Sequence, residues 1–437
     1  MQTNDPNTTL QSSAGRVVGF DSHPDTFTAA LLQGQTPAQA IVQNVFTKVP
    51  IGQLSSWARK HLHAADLVVL EASGNSFQVV RTLAAAGFQA RVLESGHLGK
   101  LKEAHANNDR ISAVRIGKAF LAGTTKTVWV PDLRTQERRD VMHAHRKAVK
   151  RSTQTANRLD SYLSDNGVRL ESSLLRLEEP AALEQIRAAR EWSPSQWSIL
   201  ESYQADIQSA GQMRQRWERT MALEVIADPV LLSLTRLLGV RDIVAYNLGA
   251  VIGDITRFKR PKSLVKYFGL DPAFDDSGNE EWSGGVGGHG HKTMRSMLLE
   301  SAQCILRTTG RLGKWGQKLM AKKGSRNLAA AAVARKLTVS IWYLLQGKFE
   351  GMENIDPSLS LKIGKIISKV GPEKLKAMGT NRKTLRQQME KSLKEGRVYR
   401  LDPTKVYTDP IELKAEPQAE PSPASKVTTL AEEYGLS

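Results

Sequence analysis

Short apolar runs separated by turn residues open the chain, and long stretches with helical spacing follow. Residues 1–13 are polar and rich in Asn, Thr and Ser, and read as a disordered tail. Residues 17–20 are apolar and lead into Asp21. Residues 26–32 follow a turn at His23-Pro24, and residues 41–46 form a third run; all three read as strands. Residues 52–62 have helical spacing. Residues 67–70 are apolar throughout and end at Glu71, the pattern of a central strand covered on both faces. Residues 76–86 read as a helix that stops at Gly87. Residues 89–93 read as a strand and 109–121 as a helix. Together these elements predict an α/β domain over residues 14–128.

From 135 to 215 the spacing is helical almost throughout, with breaks near Asn166-Gly167 and Ser193-Pro194. This predicts a helical hairpin or coiled-coil segment over 129–215. Residues 216–350 form a third block, with a Gly-rich segment over 269–290 between helical parts. Residues 351–437 form a basic extension: 362–400 carries twelve Lys or Arg against three Glu. Its end, 415–425, is rich in Pro, Glu, Ala and Ser and reads as disordered. No tandem repeat is visible.

Composition narrows the class. The 437 residues hold 61 Lys or Arg against 44 Asp or Glu, a formal charge of +17. That balance points to a polyanionic partner, nucleic acid before others. Eight Lys or Arg stand between Arg134 and Arg158 against Glu137 and Asp140, which reads either as a solvated helical face or as part of that footprint. The single cysteine, Cys304, excludes an internal disulfide and a Cys-based zinc site. No basic segment followed by an apolar run opens the chain, so no secretory signal is read. The apolar stretch 328–345 is interrupted by Arg335 and Lys336, which argues against a membrane span. The expectation is a cytoplasmic, nucleoid-associated protein.

Three acids carry candidate chemistry. Asp21 follows one apolar strand, Glu71 ends another, and Asp109 starts a helix. A carboxylate at the end of a buried strand costs desolvation energy unless compensated. Carboxylates brought together repel and raise each other's pKa unless a cation neutralises them. Acids with open water positions suit Mg²⁺, or Mn²⁺ in its place. Each acid by itself reads equally well as a solvated strand end or, for Asp109, as an ordinary helix-start residue.

The series Val17-Val18-Gly19-Phe20-Asp21, then Val68 to Gly74 around Glu71, then Asn108-Asp109-Arg110-Ile111-Ser112-Ala113 resembles the DEDD transposases. These form the bacterial insertion-sequence family numbered one hundred and ten, to which Piv-type site-specific invertases are related. Leu133-Arg134, Arg138, Arg146 and Asn157-Arg158-Leu159 are similar to that family's basic helical stretch, which also takes in Lys150. Leu238-Gly239-Val240, Ile252-Gly253-Asp254-Ile255, Tyr267 to Pro272, Ser277-Gly278, Gly284, Gly290, Met294-Arg295 and Ala334-Arg335-Lys336-Leu337 continue the likeness. It spans about residues 15–350.

The resemblance implies a RuvC-like (RNase H-type) α/β N-terminal domain, a long α-helical coiled-coil linker and a mainly α C-terminal transposase domain. It implies that Asp21, Glu71 and Asp109 are catalytic and hold Mg²⁺, with Ser112 in the fourth metal position. It implies that Ser277 attacks a DNA phosphodiester and forms a transient phosphoserine. Arg134, Arg138, Arg146, Lys150, Arg295, Arg335 and Lys336 are the candidate nucleic-acid contacts, with Arg335 and Lys336 reading alternatively as the solvated side of a core helix. DNA, a structured non-coding guide RNA and a dimer or tetramer of the chain are the implied partners. Ser277 by itself reads as an ordinary turn residue, and Ser283 is its neighbour rival among the glycines. Two other readings stand beside the recombinase: a nuclease or junction resolvase using only the acids, and a catalytically silent binding protein.

Two departures matter. The family's fourth acid, three residues after the third, is here Ser112, which removes one negative charge. The expectation is weaker metal binding. The family also has Lys and Asn near Gly290, where this chain has Gly288 and His291. There His289 and His291 become candidate phosphate contacts.

Overall fold

A computed structural model describes residues 16–98, 108–169, 180–277, 280–286, 289–348, 356 and 358–394. The tail at 1–13 and the end at 415–425 lie outside the described residues. The chain divides into two compact units, with the boundary between Asp132 and Leu133.

The first unit is a six-stranded mixed sheet. Its strands are β1 (Val17–Ser22), β2 (Thr26–Gln33), β3 (Ile41–Pro50), β4 (Leu67–Glu71), β5 (Gln89–Leu93) and β6 (Thr127–Val128). Their order is β3-β2-β1-β4-β5-β6. The β1, β4 and β5 strands are mutually parallel at the centre, while the β1–β2, β2–β3 and β5–β6 pairs are antiparallel. Four helices accompany them: α1 (Leu54–His61), α2 (Ser76–Ala85), α3 (Ser95–Leu98) and α4 (Asp109–Leu121).

Alternation along the strands divides the core between two faces. Val18, Phe20, Val68 and Leu70 pack with Leu54, Trp57, Val79 and Leu83 of α1 and α2. Val17, Leu67 and Val69 point the other way, onto Ile116 and Ala119 of α4. The run over 67–70 is apolar throughout because both of its faces are covered. The third strand runs to Pro50, four residues beyond the expected Phe46. Its side chains are largely exposed, so no burial pattern marks its end.

The second unit begins with α5 (Leu133–Asp165), α6 (Pro180–Ala189) and α7 (Pro194–Ala227). Both expected breaks fall at helix ends. Asn166-Gly167 follows α5, with Gly167 at φ 75°. Ser193 caps α7 reciprocally with Gln196, ahead of Pro194 in the first turn. The α5 and α7 helices pair antiparallel, since Arg138 meets Glu224 and Asp228 while Arg151 meets Asp206. The hairpin tip has a small core of its own around Leu159, Leu163 and Leu200.

The remaining elements are α8 (Pro229–Leu234), α9 (Asp242–Ile252), α10 (Pro261–Tyr267), β7 (Pro272–Ser277), β8 (Glu280–Val286), α11 (Lys292–Ile305), α12 (Arg311–Lys323), α13 (Arg326–Leu345), α14 (Leu359–Val370), α15 (Pro372–Ala377) and α16 (Arg382–Lys394). One hydrophobic core runs through the helices among them and includes Met142 of α5 and Met221 and Val225 of α7. The helical hairpin is therefore rooted in this unit rather than standing as a separate linker. By length and composition α13 is apolar enough to cross a membrane. Here Ala330, Val333, Leu337 and Ile341 bury it in the unit's core.

The basic extension is also part of that core over 359–394. Ile363, Ile366, Ile367, Val370, Leu385 and Met389 are buried in it. Lys362 is buried, donating to the carbonyls of Thr235, Leu237 and Val240 and pairing with Asp356 at 2.7 Å. Lys369 pairs with Asp242 at 2.6 Å. Two of the extension's positive charges thus hold the fold together.

Candidate functional site

In the first unit the acids converge at the C-terminal ends of parallel strands. Phe20 pairs with Leu70 in the β1–β4 register, so Asp21 and Glu71 are the next residues on neighbouring strands. The α4 helix brings the third acid. The Asn108 side chain accepts a hydrogen bond from Ile111 N–H at 2.9 Å and fixes where α4 starts, with Asp109 in its first turn. Gly19 lets α4 approach: a Cβ there would stand 1.9 Å from the Ala113 carbonyl oxygen. Ser112, one turn into α4, donates its hydroxyl to the Asp21 carboxylate and accepts from Arg115 at 3.4 Å.

The group whose ligand atoms all lie within 4.8 Å of one another is Asp21, His23 and Asp109. Glu71 is not in that group, although the sheet register seats it beside Asp21. His23 is the residue that sequence reasoning missed as a site candidate, having read it only as part of a turn. Its Nε2 lies 3.4 Å from Asp109 and 3.9 Å from Asp21. The turn that carries it is held firmly. His23 N–H donates to the Thr26 carbonyl at 2.9 Å, and Asn75, just beyond Glu71, donates to the His23 carbonyl at 2.7 Å. Ser22 donates to the same Asn75 side chain at 2.8 Å. The one available sequence signal was position: His23 stands two residues after Asp21, on the same side of an extended chain.

Burial pushes the Asp21 carboxyl above the usual carboxylate range. His23 opposes that shift, Asp109 adds to it, and Arg115 and Ser112 oppose it more weakly. Such a site is short of positive charge when Asp21 ionises. Two carboxylates and an imidazole nitrogen make a donor set that fits a divalent cation.

In the second unit Ser277 ends β7 and pairs with Glu280 of β8, while Ser283 pairs with Phe274. The hairpin is therefore antiparallel strand up to Ser277, where the sequence suggested a turn; the side chains of both serines lie outside the described residues. The root of this hairpin is tight. Gly269, at φ 66°, and Gly290, at φ 92°, pack backbone on backbone, and a Cβ on Gly269 would stand 1.9 Å from the His289 carbonyl oxygen.

The seven basic candidates separate. Lys150 and Lys336 are exposed, Lys336 lying 4.6 Å over the Trp315 ring. Arg134 is exposed and pairs with Asp228 at 3.1 Å. Arg146 is exposed and donates to the Thr293 hydroxyl. Arg295 donates to the His289 carbonyl at 2.9 Å and Arg335 to the Leu270 carbonyl at 2.6 Å, so both brace the hairpin root. Arg138 is a correction. It is buried, donates to Glu224 and reaches Asp228 at 2.6 Å, so its charge is spent inside the hairpin and presents no surface for a phosphate. His291 is corrected as well. Burial holds its imidazole down to about 4, and its Nδ1 accepts from Met294 N–H at 3.3 Å. It is a neutral helix cap, so its Nδ1 is no donor to a phosphate.

Residues 232–316 match the family model described as the transposase IS116/IS110/IS902 family. That match covers α9 to α11 and the Ser277 hairpin. The transposase for insertion sequence element IS1111A of Coxiella burnetii is 24% identical over 282 residues, 64% of this chain and 77% of that protein. A protein described as "Putative transposase y4qE", of Sinorhizobium fredii, is 23% identical over 248 residues, 56% of this chain and 59% of that protein.

Proposed function

We infer that the chain belongs to the IS110 family of transposases and is an enzyme acting on DNA. We propose that it cuts and rejoins DNA at the ends of an insertion sequence. The observation that carries this reading is the convergence of Asp21, near the end of β1, with Asp109, at the start of α4, in a chain whose residues 232–316 match a transposase domain. The sheet order, with an antiparallel β1–β2–β3 meander beside parallel β4 and β5, supports the RuvC-like reading of the first unit.

Asp21, Glu71 and Asp109 would hold Mg²⁺ or Mn²⁺, with Ser112 orienting Asp21 in place of a fourth acid. When bound, such a cation neutralises the acids and polarises a phosphoryl oxygen. Ser277 attacks the DNA phosphorus. Its oxygen gives up its proton and bonds to phosphorus as the DNA strand's bridging P–O bond breaks; the departing strand-end oxygen takes up a proton, and the phosphoester is retained for rejoining without ATP. Exchange between two DNA partners requires more than one copy of the chain, so a dimer or tetramer is the expected assembly. Lys150, Lys336 and Arg146, exposed in the second unit, are the best placed of the basic set to meet DNA or a structured guide RNA. The site of action is the bacterial nucleoid in the cytoplasm.

The test is expression together with the native flanking DNA. Recombined junctions are detected by amplification, protein–DNA adducts by nuclease digestion and mass spectrometry, and co-purifying RNA by sequencing. The native chain is expected to give junctions and a phosphoserine at position 277. Both are expected to vanish in Ser277→Ala, and junctions in Asp21→Asn. Strand breaks that persist in Ser277→Ala without any adduct would replace the recombinase reading with an acids-only nuclease. A single co-purifying RNA supports guided recognition, and random fragments overturn it.

A further inference from the structure

We propose that His23 is a direct metal ligand that replaces the carboxylate lost at Ser112, giving this chain a mixed nitrogen–oxygen metal centre. The inference rests on the metal-site reading above and extends it to a residue outside the three acids.

Three observations carry it. First, the ligand atoms that lie within 4.8 Å of one another are those of Asp21, His23 and Asp109. The imidazole, rather than Glu71, completes the set. Second, the backbone of the turn that carries His23 is tied down. The His23 amide is tied to Thr26 and its carbonyl to Asn75, and Asn75 also receives the Ser22 hydroxyl. Asn75 follows Glu71 by four residues, so one side chain pins the turn carrying His23 to the loop leaving β4. Third, Ser112 is engaged elsewhere. Its hydroxyl donates to Asp21 and accepts from Arg115, leaving a neutral oxygen turned toward its neighbours where an anionic ligand is missing.

A rival role for His23 has the opposite sign. As an imidazolium it would neutralise Asp21 and Asp109 by itself and compete with a metal for them. As a neutral ligand it adds a donor. Imidazole also discriminates between metals: nitrogen ligands favour transition metals over Mg²⁺, which prefers oxygen. The ligand role therefore predicts a preference for Mn²⁺ over Mg²⁺ that depends on His23.

The experiment measures metal binding to the purified full-length chain, independently of any DNA reaction. Mn²⁺ is titrated and read by the loss of the free-ion electron paramagnetic resonance signal. Mg²⁺ is measured by its competition with Mn²⁺, and the bound ion is probed by electron spin-echo modulation for nitrogen-14 coupling. Native protein is expected to bind Mn²⁺ with a nitrogen coupling. Asp21→Asn is expected to lose the bound ion. His23→Ala is expected to weaken Mn²⁺ about tenfold, to weaken Mg²⁺ by less, and to remove the coupling. His23→Ala combined with Ser112→Asp is expected to regain Mn²⁺ affinity without the coupling. Unchanged or tighter Mn²⁺ binding in His23→Ala, with native binding intact, overturns the ligand role and leaves the acid site standing. No Mn²⁺ binding by the native chain, or binding that survives in Asp21→Asn, overturns the acid site and the ligand role together.

Discussion

The Arg138 guanidinium reaches Asp228 at 2.6 Å, with both side chains only 5% exposed. The two residues are 90 positions apart and tie the start of α5 to the junction of α7 and α8. Asp228 also accepts from Val230 N–H at 2.9 Å, so the same carboxylate starts the next helix. Glu224 accepts from Arg138 as well, and these partners keep the guanidinium charged against the cost of its burial. Removing Arg138 leaves the two carboxylates with only the half-exposed Arg134 as a cation.

Arg138→Ala is therefore expected to destabilise the second unit by about 3–5 kcal/mol, the usual cost of breaking a buried pair from one side. Denaturant unfolding followed by circular dichroism checks this. Lys150→Ala, on the same helix but exposed, is expected to leave stability within about 0.5 kcal/mol and to reduce nucleic-acid affinity and its salt slope instead. A nucleic-acid defect without a stability defect in Arg138→Ala would reverse the assignment.

Acid should loosen the joint between α5, α7 and α14. His145, 3.6 Å away, is the strongest influence holding the Glu218 carboxyl down to about 2 from an ordinary 4.5. Burial opposes that shift, and Lys369 at 3.3 Å reinforces it. A carboxylate depressed in the folded state contributes stability that is complete above its unfolded pKa. That contribution fades as pH falls through the folded value. Between about pH 4.5 and 2 the native chain is expected to lose this increment, and Glu218→Gln is expected to show a shallower fall over the same window. Parallel curves for the two proteins in an acid titration would sink the claim.

Much of the first unit was legible from local pattern, and the reasons are specific. The strand over 67–70 declared itself because both of its faces are buried, and Asp109 because Asn108 caps the helix it begins. The β6 strand, only two residues long, carries no periodicity to read. His23 stayed hidden because His-Pro spells a turn in sequence, and only the fold returns that turn to Asp109. Arg138 was misread because its acids arrive 86 and 90 residues later. The extension's share in the core was not read, because attention fell on its charge and not on its helical stripe. Ile363, Ile366, Ile367 and Val370 fall on one face of α14 and enter the core.

Replacing Ser112 by aspartate should expose the electrostatic debt of the acid site. Ser112 is buried, and its hydroxyl now helps Asp21 to ionise. A carboxylate in its place repels Asp21 when no cation is present and supplies a ligand when one is. Ser112→Asp is expected to melt lower than native in chelator and to regain that loss in millimolar Mg²⁺, with metal affinity raised about tenfold. Thermal melts with and without Mg²⁺ decide it, since a merely structural defect would persist in metal.

The last prediction concerns how two elements are brought together. The α4 helix packs on β1 at Gly19, where a Cβ would meet the Ala113 carbonyl oxygen at 1.9 Å and the Gly117 nitrogen at 2.8 Å. Backbone cannot yield there as a side-chain tip would, so Gly19→Ala must push α4 away from the strand. Overpacking of this kind costs at least about 1–3 kcal/mol. The same shift carries Asp109 away from Asp21, two residues beyond Gly19, and so spoils the metal group without touching a ligand. Gly19→Ala is expected to reduce stability and to weaken Mn²⁺ binding together. Gly87→Ala serves as the control: it strains a positive φ, where Gly19 has none, and nothing lies within 4 Å of its added Cβ. It is expected to lower stability and leave Mn²⁺ binding unchanged, which ties any metal defect in Gly19→Ala to the spacing between helix and strand.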